Sequence, residues 1–198
     1  MQQLIHVEQI VQDIKDIKIQ GATNIAKAAF EIIISESKSQ NFISFEEYFE
    51  FVNTAMQLLI DARPTEPMLF NGMDYIKAQI TKVQTPDLET LKKIVIEAAE
   101  YYLNLINETA ERAVLNGLWI IHDGDNVLTH CHSSSAVKTL KLHKTKGLKF
   151  KVYNTETRPL FQGRRTAQDL IQNGIDKTLS PSWIIQSPFK MELIRLWL

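Results

Sequence analysis

The period of the hydrophobic pattern changes once along this chain, near residue 117, and that change restricts the fold more than any other feature. Before it, apolar residues recur at helical spacing. In "LIHVEQIVQDIKDI", Ile10, Val11, Ile14 and Ile17 share one face, with Glu8, Gln12, Asp13 and Lys15 on the other. "GATNIAKAAFEIIISESKS" continues the theme, and its Ala26, Ala28 and Ala29 permit close helix packing. "SFEEYFEFVNTAMQLLIDA" opens with Ser44 and Glu47, the spacing of a capping box. "RPTEPMLFNG" is expected to stop that helix at its two prolines. "TPDLETLKKIVIEAAEYYLNLINETAERAVLNG" is the longest helical pattern, with Thr85 as its cap, Pro86 in its first turn and Gly117 at its stop.

After residue 117, short β-like runs alternate with helices. "LWIIHDGDNVLTHC" reads as two such runs joined by a turn, with Cys131 as the last residue of the second. "SSSAVKTLKLHKTKG" and "GRRTAQDLIQNG" read as helices closed by Gly, "LKFKVYNTET" as a strand, and "DKTLSPSWII" as the start of another. Strands alternating with helices imply parallel pairing. The predicted fold class is therefore α/β: a helical N-terminal domain over 1–115, then a partial Rossmann-like parallel-sheet domain over 116–198. About three strands leave such a sheet with an open edge. The apolar segment 180–198, with Trp183, Ile184, Ile185, Phe189, Leu193, Ile194, Leu196 and Trp197, reads as a truncated or frameshifted end or as a compact replacement over that edge.

Composition narrows the function classes. A net charge of −1 gives no basic excess for direct nucleic-acid contact or for an anionic membrane surface. No run of about 18 apolar residues spans a bilayer, and the charged N-terminus lacks a signal-peptide core. One cysteine excludes an intramolecular disulfide and suits a reducing cytoplasm.

Ligands of open parallel sheets sit beyond the carboxyl ends of the strands. Two donor-rich turns fall there, "THCHSSS" and "NTETRPLFQGRR", each leading into a helix. Helix starts offer free N–H groups and partial positive charge, which suits phosphate and favours a thiolate. Arg158 can hold a phosphate bidentately. This is a physical case for an anion pocket with Cys131 at its rim. A lone cysteine at a strand end is more often a small buried residue. His130 and His132 should point away from Cys131 along a strand and are too close together for the usual zinc spacings, so no metal is expected. "HDGD", residues 122–125, reads as a turn. Arg164 and Arg165 read as solvated first-turn charges. No glycine fingerprint supports a dinucleotide, and no cofactor is expected.

Taken together, "IQGATNIAKAA", "ARPTEPMLFNGM", "DGDNVLTHCHSSSAV" and "VYNTETRPLFQGRRTAQDLIQNGI" resemble consecutive blocks of the α/β/δ regulatory subunits of translation initiation factor 2B. That family has an archaeal ribose-1,5-bisphosphate isomerase branch and a methylthioribose-1-phosphate isomerase relative. The resemblance covers residues 1–179. It implies a helical domain followed by a Rossmann-like one, a homo-oligomer, and a phosphorylated sugar or nucleotide as ligand. In the isomerase branch, which belongs to AMP metabolism, it implies that Cys131 is catalytic. Gly21 and Ala22 would line a phosphate site with backbone N–H groups, Arg63 and Arg158 would hold phosphate oxygens, and Ser133, Ser134 and Gln162 would complete the polar contacts. The reaction would move hydrogen between C2 and C1 of a ring-opened sugar phosphate. In the regulatory branch the partner would be the α subunit of initiation factor 2. The sequence departs from the isomerase pattern twice. Gln20 stands where those members carry Arg, a lost charged contact worth about 1.5–3 kcal/mol. After "NGIDKTL", the segment with the family's catalytic Asp and the "GAD" block are replaced by "SPSWIIQSPFKMELIRLWL".

Overall fold

The computed structural model describes residues 4–83, 86–181 and the backbone of 194–197. It forms two compact units, 1–107 and 108–198, which divide inside the longest helix.

The first unit is helical: α1 (Ile5–Lys15), α2 (Ala22–Ser39), α3 (Phe45–Ala62), α4 (Pro67–Ile80) and the leading part of α5 (Leu88–Gly117). Phe30, Ile33, Tyr48, Met56, Leu59, Leu69, Met73, Ile76 and Leu91 are fully buried. At about 1.5–3 kcal/mol for each large side chain, their burial is the main stabilising term of this unit. Tyr48 is tolerated there because its hydroxyl donates to Ser37 Oγ (2.7 Å), which donates in turn to the Ile33 carbonyl (2.6 Å). Burial pushes the Tyr48 phenol up to about 12.

Ser44 caps α3, and Glu47 reaches back to the residue before the cap. Ser44 Oγ accepts from the Glu47 N–H (3.1 Å), and Glu47 Oε2 accepts from the Ile43 N–H (2.7 Å). Ser44→Ala should lower stability by about 1 kcal/mol, seen as a lower urea midpoint at unchanged slope. α3 stops where expected, at Ala62 with Arg63 as its C-cap and Pro64 next, while Pro67 is also the first residue of α4, because a helix start needs no N–H from it. Thr85, the expected cap of α5, lies outside the described residues. Asp87 fills that role, accepting from the Thr90 N–H at 2.8 Å.

The second unit holds the rest of α5, then β1 (Asn126–Thr129), α6 (Ser134–Thr145), β2 (Lys151–Thr155), α7 (Gln162–Gln172), β3 (Lys177–Ser180) and β4 (Ile194–Trp197). All pairings are parallel, in the order β3-β2-β1-β4. Ile121, Val127, Leu140, Val152, Leu170 and Ile175 form its core.

Two expectations are corrected here. Leu118–Ile120 is not a strand. Its N–H groups turn back onto the carbonyls of Leu115, Asn116 and Gly117, so the helix end captures them before they can pair with a sheet. The sheet is also not left at three strands: β4 lies against β1 in the register Asn126↔Ile194 to Thr129↔Trp197 and occupies the edge expected to be open. The side chains of the apolar tail fall outside the described residues. "HDGD" is a turn, held by Asp125 Oδ2 accepting from the His122 N–H (2.8 Å) and by Gly124 at φ 85°.

Candidate functional site

In the order β3-β2-β1-β4 the chain runs outward from β1 to β3 and then returns to the far side of β1. The sheet therefore reverses direction between β1 and β4, and the segment leaving β1 sits at the switch point where such sheets bind ligands. That segment carries Cys131.

Cys131 is not the end of a strand. β1 stops at Thr129, and Cys131 takes the left-handed conformation at φ 63°. An ordinary L-residue adopts this region at a cost of about 1–2 kcal/mol. Contacts from the β2–α7 side hold it there. The Cys131 N–H donates to Thr157 Oγ1 (2.9 Å), its carbonyl accepts from Thr166 Oγ1 (3.0 Å), and its Sγ–H donates to Gln162 Oε1 (2.8 Å). Thr157, at φ 58°, and Phe161, at φ 53°, are also left-handed, so three such residues cluster at the ends of β1 and β2. The neighbouring histidines are turned to threonines of the facing segments. His130 Nδ1 lies 2.6 Å from Thr155 Oγ1, and His132 Nδ1 lies 3.0 Å from Thr166 Oγ1.

Each helix start is built by its own sequence. Ser133 caps α6, its Oγ accepting from the Ala136 N–H at 3.3 Å, and Ser134 is the first helical residue. Gln162 opens α7 and Gly163 follows it. A Cβ on Gly163 would lie 1.6 Å from the Thr155 carbonyl oxygen, so only glycine lets α7 approach the end of β2 this closely. The approach is fixed by Gly163 N–H donating to the Glu156 carbonyl (3.1 Å) and by Asn154 Nδ2 donating to the Gly163 carbonyl (2.8 Å).

Arg158 is already engaged. Its Nε donates to Glu156 Oε2 (3.2 Å), while Arg164 Nη2 donates to Glu156 Oε1 (3.1 Å). The Arg164 hydrogen bond, with Arg158 adding to it, holds the Glu156 carboxyl below the usual carboxylate range. Both guanidiniums also lie by the Phe161 ring, at 5.7 Å for Arg158 and 4.2 Å for Arg164. Arg164 is an exposed first-turn charge, as its position suggests, which a carboxylate and an aromatic face also reach from the preceding turn. Among the described residues, the hydrogen bond that Arg158 makes to Glu156 uses Nε, not its Nη groups.

Burial lowers the pKa of His132, and the positive charges of Arg165 on α7 and Lys141 on α6 act in the same direction against the opposing Asp169. A lowered folded-state pKa means that the unfolded chain takes up a proton first. Stability contributed by neutral His132 is therefore complete above about pH 6.5 and is lost as pH falls toward the folded value. His132→Gln should flatten the difference in urea midpoint between neutral and mildly acidic buffer relative to the parent chain.

The remaining predicted residues lie on the first unit. Gly21, at φ 85°, immediately precedes Ala22 at the start of α2, and Arg63 is the C-cap of α3. Gln20 is turned onto its own loop, Nε2 donating to the Ile17 carbonyl at 2.7 Å. On the second unit the structure brings Cys131 and Gln162 into contact and sets Ser133 and Ser134 two and three residues beyond the thiol. Sequence reasoning missed Thr155, Thr157, Thr166 and Glu156. One signal was available: Gln162 and Thr166 are four apart on a helix, hence on one face.

A parallel sheet with a left-handed thiol turn and two helix starts at its switch point defines a Rossmann-like small-ligand unit. The sequence model of the Initiation factor 2 subunit family matches residues 18–189, and the chain belongs to that family. It is 33% identical over 171 residues to a ribose 1,5-bisphosphate isomerase of Thermococcus kodakarensis, covering 85% of this chain and 53% of the relative. It is 30% identical over 189 residues to a 5-deoxyribose 1-phosphate isomerase of Petrotoga mobilis, covering 89% and 54%. The chain thus spans about half the length of the curated relatives it matches. Its fold is similar to the crystal structure of translation initiation factor eIF-2B from Pyrococcus horikoshii, with a TM-score of 0.80 at 21% identity over 96% of this chain and 65% of that one. It is similar also to 5-methylthioribose 1-phosphate isomerase from the same organism, with a TM-score of 0.79 at 23% identity over 96% and 56%.

Proposed function

We propose that this chain carries the reacting thiol of a sugar-phosphate aldose–ketose isomerase site, of the type that converts ribose 1,5-bisphosphate to ribulose 1,5-bisphosphate. The observation that carries the reading is the Cys131 turn: a left-handed thiol at the switch point, bonded to the first residue of α7. Isomerisation breaks the bond from C1 to the ring oxygen, moves hydrogen from C2 to C1 and leaves a carbonyl at C2. The ring oxygen gains a proton and the C2 hydroxyl loses one, so no outside oxidant is needed. A thiol that donates to Gln162 Oε1 can hand that proton to the ring oxygen. Turning the Gln162 amide over would present its N–H to the resulting thiolate. Arg158 and the α6 start, with Ser133 and Ser134, would hold phosphate oxygens. On the first unit, Gly21, Ala22 and Arg63 would hold phosphate oxygens. The chain would work as a homo-oligomer, a reading supported by the exposed apolar side chains of Leu115, Trp119 and Ile120 within one short stretch. Purified chain given ribose 1,5-bisphosphate should form ribulose 1,5-bisphosphate; folded chain that forms none overturns the reading.

A second reading, a non-catalytic regulatory subunit that binds a sugar phosphate or nucleotide and initiation factor 2, is favoured by Gln20. Where isomerase members place a cation, this side chain is spent on the Ile17 carbonyl. Ligand-induced stabilisation without turnover, together with capture of the initiation factor 2 α subunit, would select it.

A further inference from the structure

We propose that Thr157 and Thr166 are positioning residues for Cys131, two hydroxyls that grip opposite polar ends of its backbone and hold the thiol against Gln162. Thr157 Oγ1 accepts the Cys131 N–H at 2.9 Å, and Thr166 Oγ1 donates to the Cys131 carbonyl at 3.0 Å. Each hydroxyl is set by a further partner. The hydrogen of Thr166 goes to Cys131, so its oxygen accepts from His132 Nδ1–H at 3.0 Å, and Thr166 is only 1% exposed. On the other side Thr157 Oγ1 lies 3.3 Å from Thr155 Oγ1, which is 2.6 Å from His130 Nδ1. Nothing in the cysteine side chain favours φ 63°, and no glycine relieves the position, so the two grips are what select it. They also explain why threonine recurs on the facing segments. A hydroxyl can donate and accept at once, which a link from histidine to backbone requires. The consequence is local: released from either grip, Cys131 relaxes toward negative φ and its Sγ–H swings away from Gln162 Oε1.

This inference rests on Cys131 being the reacting thiol, but its test does not need turnover. Cys131 is the sole cysteine, so alkylation by iodoacetamide reports on it alone. In the full chain, Thr166→Val should speed alkylation about fivefold, because the Sγ–H bond to Gln162 Oε1 that keeps the sulfur a thiol, roughly one hydrogen bond, is lost. Thr157→Val should act in the same direction, and Thr166→Ser should restore the parent rate. In a Gln162→Leu background, Thr166→Val should add nothing further, because the contact it positions is already gone. Folded Val variants that alkylate at the parent rate overturn the proposal. So does a Ser variant that fails to restore it, or full additivity with Gln162→Leu. If Thr166→Val does not fold, Thr157→Val and Thr166→Ser decide. A thiol that behaves as expected in a chain without isomerase activity defeats the isomerase reading and leaves the positioning intact.

Discussion

Gly163→Ala is expected to unfold the second unit at ambient temperature or bring it close to doing so. The added methyl would sit 1.6 Å from the Thr155 carbonyl oxygen and 2.7 Å from the carbon bearing it. Both atoms are backbone in the last residue of β2, so no rotamer change relieves the clash. α7 has to move off the sheet, which breaks Gly163 N–H to Glu156 and Asn154 Nδ2 to Gly163. Asn154 is completely buried and its Oδ1 already lacks a partner, so losing the Nδ2 bond strands the whole amide. Overpacking together with an unsatisfied buried group costs about 3 kcal/mol or more, a large part of the stability of a small domain. Urea unfolding followed by circular dichroism checks this. Gly174→Ala is the control: at φ 63° with open space around it, it should cost only about 1 kcal/mol. Equal losses at the two glycines would show that the contact with Thr155 is not what matters.

Cys131→Ser is expected to remove turnover of ribose 1,5-bisphosphate by about two to four orders of magnitude while leaving the fold and substrate affinity nearly unchanged. The grips from Thr157 and Thr166 fasten on the backbone of residue 131, not on its side chain, so serine keeps the turn. A serine hydroxyl also keeps a donor for Gln162 Oε1. What it loses is the easily ionised sulfur. The loss should fall on kcat with KM close to the parent value. Cys131→Val makes the contrast, since a β-branched residue at φ 63° strains the turn itself and should lower stability as well. A serine variant with undiminished kcat would remove Cys131 from the chemistry.

Much of this architecture was legible because the relevant physics is local. Period, caps and glycine stops placed α2, α3, α6, α7, β2 and β3, and Ser133 announced the start of α6. The failures have physical causes too. Leu118–Ile120 carries strand-like residues, yet the free carbonyls at the end of α5 claim its N–H groups. That Pro67 also begins α4 was not legible, because a proline that begins a helix and one that ends it are the same residue in sequence. Of the candidate site, Cys131, Ser133 and Arg158 could be gathered from turns at strand ends, while Gln162 followed only from the family resemblance. The conformation of Cys131 could not, because it is imposed by threonines 26 and 35 residues away. Nor could the pairing of Arg158 and Arg164 on Glu156, which depends on how the chain folds back after β2.

The parallel pairing of β1 with β4 also has a meaning in time. β1 finds β2 after one helix, but its other neighbour is Ile194–Trp197, synthesised long after β1 and β2. Pairings so distant in sequence close late, after the loop entropy of the intervening chain has been overcome. Through that interval β1 has a bare flank, and the switch point beside Cys131 has only one wall. The slowest step in assembling this unit should therefore be the one that finishes the candidate site.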